Sequence, residues 1–177
     1  MNTDILIAAA LPLAGWTIHG LVLARRLAAA RRDPLTGLHT RTGWTRRAQR
    51  LLKRHSDAVV VLIDLDAFKK LNDTHGHDAG DAALVATARR LAQWCAPGGV
   101  AGRLGGDEFV AVALPRDADP RTLPAALREQ VSHKGQLLPV SASVGVCITS
   151  DLSKRTLSAA MEEADQAMYR VKGRARR

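Results

Sequence analysis

Apolar and polar positions alternate along this chain with periods that change from segment to segment. Over residues 5–24 no side chain is charged, taking His19 as neutral; about 20 residues at about 1.5 Å rise match the hydrocarbon core of a bilayer. A transmembrane helix is therefore predicted within residues 1–24, although Pro12, Gly15, Thr17, His19 and Gly20 dilute its hydrophobicity. Packing against a partner protein or a second copy is the competing reading of the same stretch. Arg25, Arg26, Arg31 and Arg32 follow the apolar run and no basic residue precedes it, the reverse of a secretory signal peptide. The positive-inside rule then puts the rest of the chain in the cytoplasm. Leu23, Leu27 and Ala30 continue the helical spacing as a linker helix over 25–33, which should stop at Asp33-Pro34 because proline disfavours helix in the residue before it.

Beyond Pro34 the period shifts repeatedly. Trp44, Ala48, Leu51 and Leu52 predict an amphipathic helix over 42–55, and the almost unbroken apolar run 58–66 predicts a strand buried on both faces. Leu84, Ala88, Leu91 and Cys95 mark a second helix beginning after a glycine-bearing loop at 76–81 and stopped by Pro97-Gly98-Gly99. Residues 100–104 and 109–114 read as strands joined by the turn Gly105-Gly106-Asp107-Glu108. A helix is predicted over 123–133 with Pro124 in its first turn, then a strand at 140–147 in which Val140, Ala142, Val144 and Val146 alternate with small residues. Leu157, Met161, Ala164, Met168 and Val171 mark a closing helix. This order predicts an α/β fold of the α+β sandwich kind, a central mixed β-sheet flanked by helices, preceded by an N-terminal hydrophobic helix.

Composition narrows the picture slightly. At 177 residues, 46% hydrophobic and 24% charged, the chain suits one folded domain plus a short appendage. Aromatics are only 3%, so Leu, Val and Ala must build the core, with Trp44 and the Met161/Met168 stripe more suited to it than to a site. The formal charge of +9 raises the question of nucleic acid. Without aromatic residues among the arginines for bases to stack on, no specific nucleic-acid partner is expected. Cys95 and Cys147 have neither CxxC spacing nor nearby histidine at ligand spacing, which fits a reducing compartment.

Chemistry concentrates in the acids. Asp64 closes a buried strand, where a carboxylate is costly unless paired or bound to a cation. Asp107 and Glu108 occupy the glycine turn. If the hairpin pairs beside the 58–66 strand, the three carboxylates converge on one edge, a setting suited to Mg²⁺ and a nucleoside triphosphate. Solvated turns and strand ends are the plainer reading of the same acids.

Six separated blocks carry a resemblance. They are Asp33-Pro34-Leu35-Thr36-Gly37-Leu38; Ile63-Asp64-Leu65-Asp66-Ala67-Phe68-Lys69; Asn72-Asp73 with Gly76-His77 and Gly80-Asp81; Arg103-Leu104-Gly105-Gly106-Asp107-Glu108-Phe109; Ser143-Val144-Gly145; and Ala164-Asp165 with Met168-Tyr169 and Lys172. In this order they resemble the GGDEF family of diguanylate cyclases over nearly all of 33–177. The resemblance implies a palm-like or nucleotidyl-cyclase-like domain over 34–177 that condenses two GTP into cyclic di-GMP and pyrophosphate across a homodimer. It implies Mg²⁺, with Mn²⁺ as a substitute, held by Asp64, Asp107 and the Leu65 carbonyl, with Glu108 either joining them or taking the 3′-hydroxyl proton.

The same resemblance assigns guanine recognition to Asn72 and Asp81, which also suit ordinary caps. It places Phe68, Gly105 and Gly106 against the nucleotide, and Lys69, Lys172 and Arg176 on its phosphates, although the last two also suit a solvated basic tail. Arg103 receives no firm role, and His75 and His77 receive none as ligands despite their spacing. With the apolar amino terminus, the implied location is the bacterial inner membrane, single-pass, with the catalytic domain cytoplasmic. A GGDEF module that binds GTP or a protein partner without turnover is the alternative.

Some positions depart from the family pattern. Ala96 and Gly99 stand where product-inhibited members carry Arg-x-x-Asp, so inhibition through that site is not expected. Thr40 replaces an asparagine and Ala175 a glycine. The stretch between Phe109 and Ser143 is short by about one or two helical turns, which predicts a trimmed peripheral helix.

Overall fold

The computed structural model describes Trp16, His19, Gly20, Val22 and Leu23, and then residues 31–175. Seven strands are described: β1 His39–Thr40, β2 Val59–Leu65, β3 Val100–Gly105, β4 Glu108–Ala113, β5 Val131–His133, β6 Gln136–Leu138 and β7 Ala142–Ile148. The α-helices are α1 Arg41–Arg54, α2 Phe68–His75, α3 His77–Trp94, α4 Leu123–Leu127 and α5 Leu157–Ala175, the labels covering those after residue 31.

β2 is central because its sequence is apolar on both faces. The main sheet runs β1-β3-β4-β2-β7, with β1 parallel to β3 and the other pairs antiparallel. The two-residue side-chain period of a strand sends Val59, Val61, Ile63 and Leu65 to one face, where they pack with Ala83, Leu84, Ala88 and Leu91 of α3 and with Leu123 and Leu127 of α4. Val60 and Leu62 face the other way, into Trp44 and Ala48 of α1 and Ala160, Ala164 and Met168 of α5. Each fully buried Val, Leu or Ile of this kind contributes about 1.5–3 kcal/mol. Two helical layers thus enclose the sheet, giving the expected α+β sandwich, and Asp64, in phase with Val60 and Leu62, lies on the α1/α5 side.

The structure departs from the sequence expectation in places. Residues 68–75 form α2, a helix with no buried residue, so no apolar stripe announced it. The expected loop at 76–81 is mostly helix, since α3 starts at His77. The helix expected over 123–133 stops at Leu127, and Val131–His133 instead pairs with Gln136–Leu138. Lys134 and Gly135 join that hairpin at φ 48° and 77°, as a two-residue turn with positive φ at both positions requires. Arg90, 9% exposed, holds the connection by donating to the Glu129 and Gln130 carbonyls at 2.8 and 3.2 Å.

The amino-terminal expectation needs correction. Among the described residues no helix is long and apolar enough to cross a membrane, and the single-pass inner-membrane placement is withdrawn. Most of the expected span lies outside the described residues; Trp16, His19, Gly20, Val22 and Leu23 are helical and exposed. The polar and helix-breaking residues at 12, 15, 17, 19 and 20 are the physical weakness of that reading.

Candidate active site

Strand register decides which acids can meet. Asp64, near the end of β2, lies opposite Glu108 on β4 and Ser143 on β7, and the Leu65 N–H donates to the Asp107 carbonyl at 3.3 Å. The β3–β4 turn is open because Gly105 and Gly106 take φ of 152° and 50°, values that side chains resist. Beside it lies a cleft of about 570 Å³ whose lining includes Asp64, Leu65, Phe68, Lys69, Asp107 and Lys172. Asp66 also faces it, but its carboxylate accepts from Ser143 Oγ at 2.7 Å and its N–H donates to the Ser141 carbonyl at 2.9 Å.

The hairpin pairs beside β2 as expected and brings the three acids to one edge of the sheet, but not into one tight cluster. Among the described residues no group of three His, Cys, Asp or Glu side chains gathers closely enough to hold a metal. Asp64 and Asp107 share the cleft, whereas Glu108 is exposed and outside its lining. As a cross-strand neighbour its Cβ still falls about 5 Å from that of Asp64. Two carboxylates with a nearby carbonyl remain a suitable hard-oxygen donor set for a small divalent cation, which usually completes its shell with water and substrate phosphates. Lys172 meets them from α5, its Nζ 2.8 Å from Asp64 Oδ1.

Asn72 and Asp81 stand apart from this cleft. Asn72 projects from α2 toward α3, and its Oδ1 is buried without a hydrogen-bond partner. The two helices approach so closely that a Cβ on Gly80 would collide with that oxygen and lie 2.9 Å from Asn72 Cγ and 3.2 Å from Phe68 Cζ. Asp81 follows Gly80 on the exposed side of α3. Lys69 is exposed at the cleft, and Arg176 lies outside the described residues.

Arg103 has a place that its sequence alone did not define. Its Nε and Nη2 donate to the Gly106 carbonyl at 3.0 and 2.7 Å, and its Nη1 donates to the Asp33 carboxylate at 3.1 and 3.3 Å. Asp33 also accepts from the Thr36 N–H and hydroxyl at 2.8 and 2.6 Å. Burial by itself raises the Asp33 pKa, but the bonds from Thr36 and Arg103 outweigh it and hold the carboxyl below its ordinary value. A strut thus runs from the Asp33–Thr36 turn to the glycine turn. The Asp-x-x-Thr spacing was a readable sign of the turn, though not of its distant arginine.

Ala96 and Gly99 border a separate recess of about 420 Å³ that also includes Arg32, Arg47, Arg50 and Arg54. Cys95 and Cys147 are buried in the cores on opposite sides of the sheet. Burial pushes the Cys95 thiol up to about 11 and raises that of Cys147, helped there by the negative charges of Glu163 and Asp151.

This fold has counterparts among solved structures. A sensory box/GGDEF family protein from Caulobacter crescentus superposes with a TM-score of 0.72 at 39% identity, over 81% of this chain and 99% of the other. Residues 30–177 match the family described as "Diguanylate cyclase, GGDEF domain", and the chain belongs to this family.

An "Uncharacterized 19.3 kDa protein in repSA 5′ region" of Streptomyces ambofaciens is 58% identical over 171 residues, covering 96% of this chain and 93% of that one. Diguanylate cyclase DgcP of Pseudomonas aeruginosa is 36% identical over 151 residues, 79% of this chain but only 22% of DgcP.

Proposed function

We propose that this chain is a diguanylate cyclase that condenses two GTP molecules into cyclic di-GMP and two pyrophosphates where two copies face each other. The observation that carries this reading is the shared cleft of Asp64 and Asp107 beside the glycine turn, with Lys69 and Lys172 supplying positive charge. The catalytic domain is taken as 34–177, entered through a linker at 25–33.

Asp64 and Asp107, with the Leu65 carbonyl, would hold Mg²⁺, with Mn²⁺ as a substitute. When bound, the metal supplies charge stabilisation to the attacking and leaving oxygens. Lys69, Lys172 and Arg176 offset the triphosphate charge. Asn72 donates from its amide N–H groups to the acceptor edge of guanine, and Asp81 accepts from guanine N1–H and N2–H. Phe68 packs against the nucleotide, and the bare backbone of Gly105 and Gly106 admits it closely.

Each 3′-oxygen forms a bond to the α-phosphorus of the opposing GTP as the bond to pyrophosphate breaks. Glu108, exposed opposite Asp64, takes the 3′-hydroxyl proton. One copy holds only half of this arrangement, so turnover needs the homodimer. With Ala96 and Gly99 in place of Arg-x-x-Asp, product does not inhibit through that site.

The test is to incubate the full chain with GTP and Mg²⁺ and resolve the nucleotides by chromatography. Cyclic di-GMP should form, and Asp107→Asn should abolish it with the fold intact. GTP binding without product, even when dimerisation is enforced, would instead favour a non-catalytic GTP-binding module.

A further inference from the structure

Lys172 and Asp64 form an ion pair of 2.8 Å with side chains 30% and 15% exposed. It joins the last turns of α5 to the acidic end of β2, two elements distant in sequence. Lys69 also lines the cleft, but among the described residues it pairs with no carboxylate. Asp66 has a hydroxyl donor in Ser143. The charge on Asp64 is therefore balanced by one particular ammonium, at the oxygen that a divalent cation would need.

We propose that Lys172 is an exchangeable internal counter-ion: it holds Asp64 while the cleft lacks nucleotide and passes to the triphosphate when GTP enters. This rests on the reading of the cleft given above. A compact ammonium on a flexible four-carbon stem can swing between two acceptors without moving its helix. While it sits on Asp64 Oδ1 it repels a second cation from that carboxylate. A triphosphate carries several negative charges and outcompetes one carboxylate for it. Nucleotide and divalent cation then favour each other's binding through this side chain, and the coupling is the same in either direction.

Mn²⁺ binding to the full chain without nucleotide, followed by electron paramagnetic resonance, reads the first half of the exchange. Lys172→Gln and Lys172→Met should each bind Mn²⁺ about 5-fold tighter or more than the unmodified protein, the lower end of typical coupling. Lys69→Gln removes an equal but unpaired charge and should tighten binding by less than about 2-fold, as exposed charges contribute little. Nucleotide binding in EDTA reads the second half: Asp64→Asn, which frees Lys172, should bind GTP tighter, and Lys172→Gln weaker. Equal Mn²⁺ affinities for the Lys172 and Lys69 variants would overturn the exchange. In that case Asp64→Asn still losing Mn²⁺ leaves the metal reading standing, whereas its retaining Mn²⁺ removes both.

Discussion

Arg103→Ala should destabilise the fold by cutting the link between the Asp33–Thr36 turn and the glycine turn, and the structure says how much. Four hydrogen bonds disappear together, two to the Gly106 carbonyl and two to the Asp33 carboxylate. The pair is 14% and 18% exposed, so water replaces the guanidinium only in part. Hydrogen bonds to charged groups are worth about 1.5–3 kcal/mol each when buried. Two acceptors each losing one such interaction, discounted for partial solvation, gives about 3 kcal/mol. For a domain of this size that lowers Tm by roughly 6–12 °C. Thermal melts followed by circular dichroism measure it.

Arg103→Lys should fall between, because an ammonium reaches one acceptor and not both. Arg121→Ala is the control: its guanidinium donates to Asp119 at 2.8–3.1 Å but is 89% exposed, and its removal should leave Tm unchanged. If Arg103→Ala melts with the unmodified protein, the strut does not hold the glycine turn and the reasoning fails.

Acid titration should show the same strut from the other side. Because the folded Asp33 carboxyl lies below its ordinary value, its contribution is complete above about pH 3.9 and is lost as pH falls through the lower folded value. Denaturant melts between about pH 2 and 5 should therefore lose less stability on acidification in Asp33→Asn, and identical slopes would contradict the assignment. Gly80→Ala places a methyl on Asn72 and Phe68; calorimetry should show GTP affinity falling about 10-fold, roughly one misplaced hydrogen bond, while the added helix propensity keeps the fold. Cys95 and Cys147 should resist a thiol reagent at about pH 8 in the native protein and react on unfolding, since buried thiols with raised pKa values carry little thiolate.

The long regular elements were legible in the sequence for simple reasons. β2 is apolar on both faces, and α1 and α5 carry stripes at helical spacing, so periodicity alone found them. The hairpin of β3 and β4 was marked by its two glycines. α2 was not legible because it is eight residues long and only partly buries Phe68 and Leu71, and the β5–β6 hairpin was hidden because three-residue strands are too short to show alternation. Its Lys134-Gly135 turn lacks the Asn-Gly or Asp-Gly signal. At the site, residue types gave the acids, but pairing register was needed to set Glu108 opposite Asp64, and the cleft itself to show that Asp64 and Asp107 line it while Glu108 does not. The Lys172–Asp64 and Arg103–Asp33 ion pairs join segments about 70 residues or more apart, a separation over which spacing carries no information.

The proposed function requires Asp64 and Asp107 to act together on a nucleoside triphosphate through a shared divalent cation. Its most direct measurement is Mg²⁺-dependent conversion of GTP to cyclic di-GMP by the full chain, set beside Asp64→Asn and Asp107→Asn of equal thermal stability. Product should form with the unmodified chain and with neither variant. Undiminished product from either one would contradict that requirement.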